Sequence, residues 1–388
     1  NQSLDVFLAQ LNSDGSLDEN FGNSGIVLFS SVDDTRAFDV DLRSDGKIVL
    51  SGDLNNAGNK DFFIMLLNAD GTVVNSFGDQ GILKIDFSMY SDSFMALELD
   101  KNDGMYIAGR SFDGSKFHAS IAKVSALGLF DINFAPSGKL MFQESSYSTA
   151  ITNIKLDGNG NLVGVGYVVG GISEDLYIFR ILPTGKFDLS FDTDGKRQFG
   201  VKIGNAPDER FTALDIQADG KILATATYND GGVKSSLYIR FRTDGKTDGG
   251  FGGPLGYVLI PETTWDAWIG FIHVVSNERA LLAGRIYTSE YNTMVSAIYL
   301  TEPFPTSVQN QATQTLGIFP NPATNQFSLE VPEENGTVSL YALNGQMIQS
   351  WNLQAGGTYE LPSMMNPGVY LIRVLTSEGV RSAKLQIQ

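Results

Sequence analysis

Aspartates beside glycines are the residues of this chain most able to do chemistry, since oxygen ligands on a tight glycine turn are what a hard cation takes. The strongest strings are DKNDG from Asp100, DGNGN from Asp157 and DTDG from Asp192. None completes an EF-hand loop with a glutamate at its end. Asp-Gly and Asn-Gly also serve hairpins, because such turns need positive φ. The strings recur at the same place along the chain, as scaffold residues do, so they are read as turns in preference to structural calcium, and no cofactor is expected. Other chemistries find little material. There are no cysteines, which excludes disulfides, thiolate catalysis and cysteine zinc sites. The only histidines, His118 and His273, lie far apart in sequence. No GxSxG occurs, and a serine triad lacks a histidine. GNGNLVG at Gly158 and GVGYVVG at Gly164 lie in strand patterns with no helix to cradle a phosphate. No catalytic or metal residue is assigned.

A ligand face is the better candidate. The segments SSVDDTRAF, DFSMYSDSF, QESSYSTAI, GNAPDERF and IPETTWDAWIGF differ in length and content, and variable loops on a rigid frame are where function usually sits. Their register puts Arg36, Ser93, Ala150, Arg210 and Trp268 at equivalent positions entering a central channel. Tyr90, Tyr147, Trp265 and Trp268 offer flat faces for sugar rings. Asp33, Asp92, Asp208 and Asp266 offer acceptors for hydroxyls. The candidate face is therefore Arg36, Tyr90, Tyr147, Arg210, Trp265, Asp266 and Trp268. The competing readings are that these loops differ because nothing constrains them, and that Trp268 plugs the channel or packs between blades.

That register rests on a repeat. LNSDGSLDENFG, LNADGTVVNSFG, VSALGLFDINFA, ILPTGKFDLSFD and RTDGKTDGGFG align Gly15, Gly71, Gly128, Gly185 and Gly245, spaced by 56, 57, 57 and 60 residues. Half a unit later RSDGKIVLSGD, DKNDGMYIAGR, DGNGNLVGVGY, QADGKILATAT and SNERALLAGR recur. Each unit predicts four short strands bounded by turns, with no helical period. Radial repetition of four-stranded antiparallel sheets is a β-propeller. The third strand of each unit is expected innermost, before a Gly- and Ala-rich fourth, and the second outermost. The first-strand pattern occurs a sixth time at VSAIYL, one more than five closed repeats need. Phe21, Phe77, Phe134, Phe191 and Phe251 recur at one corner and are expected to pack between neighbours. His118 stands where other units have Asp5, Asp61 and Asp175, a polar start to a strand. The FG-containing units resemble the family of delta-60 repeats over residues 1 to about 300.

The last part of the chain carries different marks: Pro320, Asn321 and Pro322, then Gly368 and Tyr370, then a terminal Lys384 and Leu385. In that order, at the C-terminal end, they resemble the C-terminal sorting domain of type IX secretion substrates. The resemblance implies export across the outer membrane of a Bacteroidetes-type bacterium, to the cell surface or beyond. It also implies an outer-membrane shuttle or translocon barrel and a surface sortase as partners. The expected organisation is an all-β chain: a propeller of five visible repeats at 1–303, a linker at 304–315 and an immunoglobulin-like β-sandwich at 316–388.

Composition limits the partners. The net charge is −17, of which −15 falls before Leu316, which argues against nucleic acid and anionic membrane. No apolar run is long enough to span a bilayer as a helix. No signal peptide opens the chain, so the numbering is expected to start after cleavage or within a longer chain. The function expected is a secreted or cell-surface binding or adhesion module, not an enzyme, with a glycan or surface ligand. The alternatives are an extracellular glycoside hydrolase or other carbohydrate-active enzyme, and a structural surface protein without a small ligand.

Overall fold

Short apolar runs between Gly-bearing turns fold, in the computed structural model, into strands joined by tight connections. The structure describes residues 6–29, 34–56, 58–170, 173–201, 208–230, 233–260, 266–287, 291–300, 316–331, 336–341, 347–362, 365–376 and 379–387. Two compact units divide the chain, Asn1–Thr306 and Ser307–Gln388. The segment expected to link them, 304–315, lies outside the described residues.

In the first unit β1 (Val6–Ala9) pairs with β2 (Ile26–Phe29). Four antiparallel sheets of four strands follow. The first holds β3 (Asp34–Leu42), β4 (Ile48–Asn56), β5 (Asn59–Leu67) and β6 (Ile82–Ile85). The second holds β7 (Asp92–Leu99), β8 (Met105–Phe112), β9 (Phe117–Val124) and β10 (Lys139–Phe142). The third holds β11 (Ser148–Leu156), β12 (Leu162–Gly170), β13 (Ser173–Ile181) and β14 (Lys196–Phe199). The fourth holds β15 (Asp208–Ile216), β16 (Ile222–Asp230), β17 (Val233–Phe241) and β18 (Tyr257–Ile260). A three-stranded sheet of β19 (Asp266–Ser276), β20 (Arg279–Tyr287) and β21 (Tyr291–Tyr299) ends the unit.

Five sets of four strands were expected; the described residues form four such sheets flanked by a two-stranded and a three-stranded one. The reason is phase. Each sheet joins the third and fourth strands of one sequence repeat to the first and second strands of the next. The sixth first-strand copy, VSAIYL, lies in β21 and pairs along β20.

The strands β3, β7, β11, β15 and β19 form one edge of their sheets, and each packs against the next. Carboxylates tie these edges together: Asp39 accepts the Leu97 N–H at 3.0 Å, Glu98 that of Leu156 at 3.1 Å, and Asp215 that of Val274 at 2.7 Å. Between successive sheets lie apolar cores, such as Phe62, Ile64 and Phe77 with Ile107 and Val124. The repeated phenylalanines are buried there; Phe134, Phe191 and Phe251 are at most 1% exposed. Gly245, at φ +80°, rests on Phe191, where a Cβ would lie 2.8 Å from the ring. Turn glycine on corner phenylalanine is thus a joint between units. Crowding also explains the small residues of the fourth strands: a Cβ on Gly166 would fall 1.9 Å from the Ala150 carbonyl oxygen. At the two ends of the array the pattern lapses, and Phe7, Phe38, Val40, Phe271 and Val295 are exposed.

The second unit has seven described strands. β22 (Gly317–Phe319), β23 (Gln326–Glu330) and β26 (Thr358–Glu360) make one sheet. β24 (Gly336–Tyr341), β25 (Met347–Asn352), β27 (Gly368–Thr376) and β28 (Gly379–Ile387) make another, ordered β25-β24-β27-β28. Phe327 and Leu329 from the first meet Val338, Leu340, Ile372, Val374 and Leu385 from the second in one core.

Candidate functional site

A β-bulge is the device that opens the site. Each of the five edge strands has its register shifted at the same point, next to Phe38, Met95, Thr152, Thr212 and Gly270. A bulged residue is left out of the ladder and re-aimed. All five line a single cavity of about 770 Å3.

The positions expected to enter a channel are equivalent in register. Arg36 opposes Asp53, Ser93 opposes Arg110, Ala150 opposes Tyr167, Arg210 opposes Thr227 and Trp268 opposes Arg285. Of the five, Arg210 and Trp268 line the cavity, and the cross-strand partners Arg110, Tyr167, Thr227 and Arg285 line it too. Ala150 is buried, and Arg36 is exposed away from the cavity lining. Trp268 is 42% exposed in the cavity wall.

Cations and rings alternate along the wall. The Arg110 guanidinium sits 4.3 Å from the Phe117 ring centre and donates to Tyr167 Oη at 2.9 Å. Arg210 lies 4.5 Å over Tyr167 and pairs with Glu174. Arg285 lies 5.3 Å from the Trp268 ring. Stacking of this kind holds a guanidinium plane in place.

Other expected residues are placed elsewhere. Tyr90 packs edge-on against Phe112, with ring centres 5.8 Å apart. Tyr147 lies beside Gly170. Both are partly exposed, and neither lines the cavity. Asp208 does line it. Trp265 and Asp33 lie outside the described residues, and Asp266 opens β19 opposite Tyr287. Asp92, expected to meet ligand hydroxyls, is instead fully buried. It accepts the Phe87 N–H at 2.9 Å, and burial pushes its carboxyl up to about 7. Thr149 and Glu209 occupy the matching place in later sheets and likewise accept loop N–H groups, from Glu144 and Val201. This position clasps the loop before β7, β11 and β15.

The aspartate strings are turns. Asp100 Oδ1 accepts N–H groups of Asn102 and Gly104, and Asp157 Oδ1 those of Asn159 and Asn161. His118 Nε2 lies 2.7 Å from Asp113 Oδ2 at the partly exposed start of β9.

In the second unit the sorting marks converge on the last strand. Tyr370 pairs with Leu385 and Leu371 with Lys384 across β27 and β28, and Gly368 opposes Ile387. Asn321 grips the same strand with its whole amide: Nδ2 donates to the Lys384 carbonyl at 2.9 Å and Oδ1 accepts the Gln386 N–H at 2.8 Å. Pro320 and Pro322 flank it, both with cis peptide bonds. Ala323 N–H then meets the Gln386 carbonyl at 2.8 Å.

Comparison with known proteins fits this division. Residues 317–388 match the secretion system C-terminal sorting domain of the Por type. Residues 1–21, 43–77 and 217–251 match a beta-propeller domain of unknown function, DUF5122. No curated protein matches the chain. Among solved structures, PorZ of Porphyromonas gingivalis, a surface component of its type IX secretion system, is 11% identical, with a TM-score of 0.31. The alignment covers 95% of this chain and 53% of that one, so the chain spans about half of PorZ's length. Polysaccharide lyase Uly1 is 11% identical over 89% of this chain and 88% of its own, with a TM-score of 0.41. A mannose phosphorylase from Leishmania mexicana is 11% identical over 69% and 88%, with a TM-score of 0.37. The described residues contain no helix long and apolar enough to cross a membrane. The chain carries DUF5122-type beta-propeller segments followed by a Por-type C-terminal sorting domain, the address of a type IX substrate exported across the outer membrane.

Proposed function

We propose that the first unit is a β-propeller whose cavity binds an acidic glycan at the cell surface, and that the second is an immunoglobulin-like sandwich that delivers it there. The observation that carries the binding role is the cavity wall, where Arg110, Arg210 and Arg285 are each held against an aromatic ring. Flat rings suit sugar faces, and guanidinium groups suit uronate or other anionic substituents. Propeller closure is supported by the succession of edge strands and by the apolar residues exposed at both ends of the array. Binding is favoured over hydrolysis because two of the three cavity carboxylates are already engaged, Glu174 by Arg210 and Asp39 by the Leu97 N–H. For the second unit, the outer-membrane shuttle or translocon and a surface sortase are the proposed partners.

A glycan array probed with the full chain tests the reading. Retention of acidic oligosaccharides without turnover, lost in Trp268→Ala and weakened in Arg210→Ala, is the expected result. Cleavage of the bound sugars would make the protein a carbohydrate-active enzyme, and silence across the array would leave a structural surface protein.

A further inference from the structure

Three carboxylates from separate stretches of the chain meet beside the first two four-stranded sheets. Asp61 is in β5, Asp86 follows β6 and Asp92 is in β7. One oxygen from each lies within 4.8 Å of the others. Such crowding of like charge is costly without a counter-charge. Asp92 is fully buried, yet its Oδ1 has no hydrogen-bond partner, and Asp61 Oδ1 is likewise enclosed and unpartnered. Ser111 Oγ, directly across the β7–β8 ladder, lies near the Asp92 carboxyl without completing a hydrogen bond. Asp86 is exposed and gives the cluster a side open to solvent.

Of the cations close by, Lys139 directs its ammonium to the Asp86 backbone carbonyl and lies 5.0 Å from the Phe130 ring.

The matching place two sheets on provides a control within the molecule. There Asp175 and Glu209 approach each other, but Gly200 stands where the first site has Asp86. Gln198 donates to Asp175 at 2.7 Å, and both Glu209 oxygens accept the Val201 N–H at 2.9 Å. In the sheet between, His118, Gln143 and Thr149 occupy the same places and bring no carboxylate. Only the first of these three sites gathers three carboxylates with enclosed oxygens left unpartnered.

We propose that Asp61, Asp86 and Asp92 bind a calcium ion, with Ser111 Oγ and water available to complete an oxygen shell. An all-oxygen set of mixed burial suits calcium, which tolerates irregular geometry, better than magnesium, which demands a near-ideal octahedron, or a transition metal, which prefers nitrogen or sulfur. The affinity expected is that of extracellular modules, a Kd on the order of 10⁻⁴ M.

Calorimetric titration of the chelator-stripped full chain with calcium chloride tests this, with melting temperature followed in parallel. One ion per chain and a rise of several degrees in the first unit's transition are expected. Asp86→Asn, at an exposed position, should weaken binding at least tenfold without altering the melting of the stripped protein. Glu209→Gln should bind as the parent does. Absence of both heat and melting shift at 10-fold the expected Kd, about 10⁻³ M, would overturn the site, as would undiminished binding in Asp86→Asn together with Asp61→Asn. Equal affinity for magnesium would overturn the assignment to calcium.

Discussion

In the Asn1–Thr306 unit every joint is made several times, whereas in Ser307–Gln388 each is made once. Phenylalanine corners, turn glycines, bulges and loop clasps recur from sheet to sheet in the first unit. In the second, one asparagine and one strand pairing bring Pro320–Pro322, Tyr370 and Lys384–Leu385 together. Repetition frees individual positions to differ, and Trp268, Arg210 and the Asp61–Asp86–Asp92 group are such departures. A single-copy arrangement has no spare position. Its recognisable residues are also those that hold its last strand.

The largest expected effect separates the units outright. Removing residues 316–388 should abolish export while the first unit still folds; cell fractionation and the melting of the truncated protein check both halves. Within the first unit, Phe191→Ala should destabilise by about 3–5 kcal/mol through cavity formation between sheets. Denaturant unfolding should show the loss in the first unit's transition and leave the second's unchanged.

A titration sharpens the contrast next. Burial, aided by Asp175, pushes the Glu209 carboxyl up to about 7. The folded chain therefore keeps this proton at pH values where the unfolded chain has lost it. The contribution to stability is greatest below the ordinary glutamate range and declines as pH rises towards 7, on the order of 3 kcal/mol in all. Glu209→Gln should flatten that part of the pH–stability profile, measured as a difference from the parent. A parallel slope in the variant would refute the assignment. The smallest effect is expected at Asn321→Ala, about 1–2 kcal/mol from two lost hydrogen bonds. It should appear as faster proteolysis at the C-terminal strand, with the first unit's melting unaltered.

Much of this organisation is legible in the sequence because turns and corners are local. Gly245 and Phe191 can be aligned by eye, and the equivalence of Arg36, Ser93, Ala150, Arg210 and Trp268 follows from strand alternation. The division of each repeat between two sheets is not local, since nothing within one repeat says which neighbour its strands pair with. Part of the cavity wall is not legible for the same reason. Arg110, Tyr167 and Arg285 reach it as cross-strand partners of the residues that drew attention. Cross-strand register would have found them. Asp92 looked like a loop acceptor because its neighbours are polar, but alternation turns it inward. Tyr90 and Tyr147 looked like stacking platforms, yet they lie against the turns of their own sheets.

The offset between sequence repeat and sheet bears on how such a chain can lengthen. Duplication of one whole period, wherever in the repeated region the break falls, supplies third and fourth strands for one sheet and first and second strands for the next. The gain is always one complete sheet with its joint, and the two terminal part-sheets keep their pairing. Recombination between repeats would then preserve the strand pairing within every sheet.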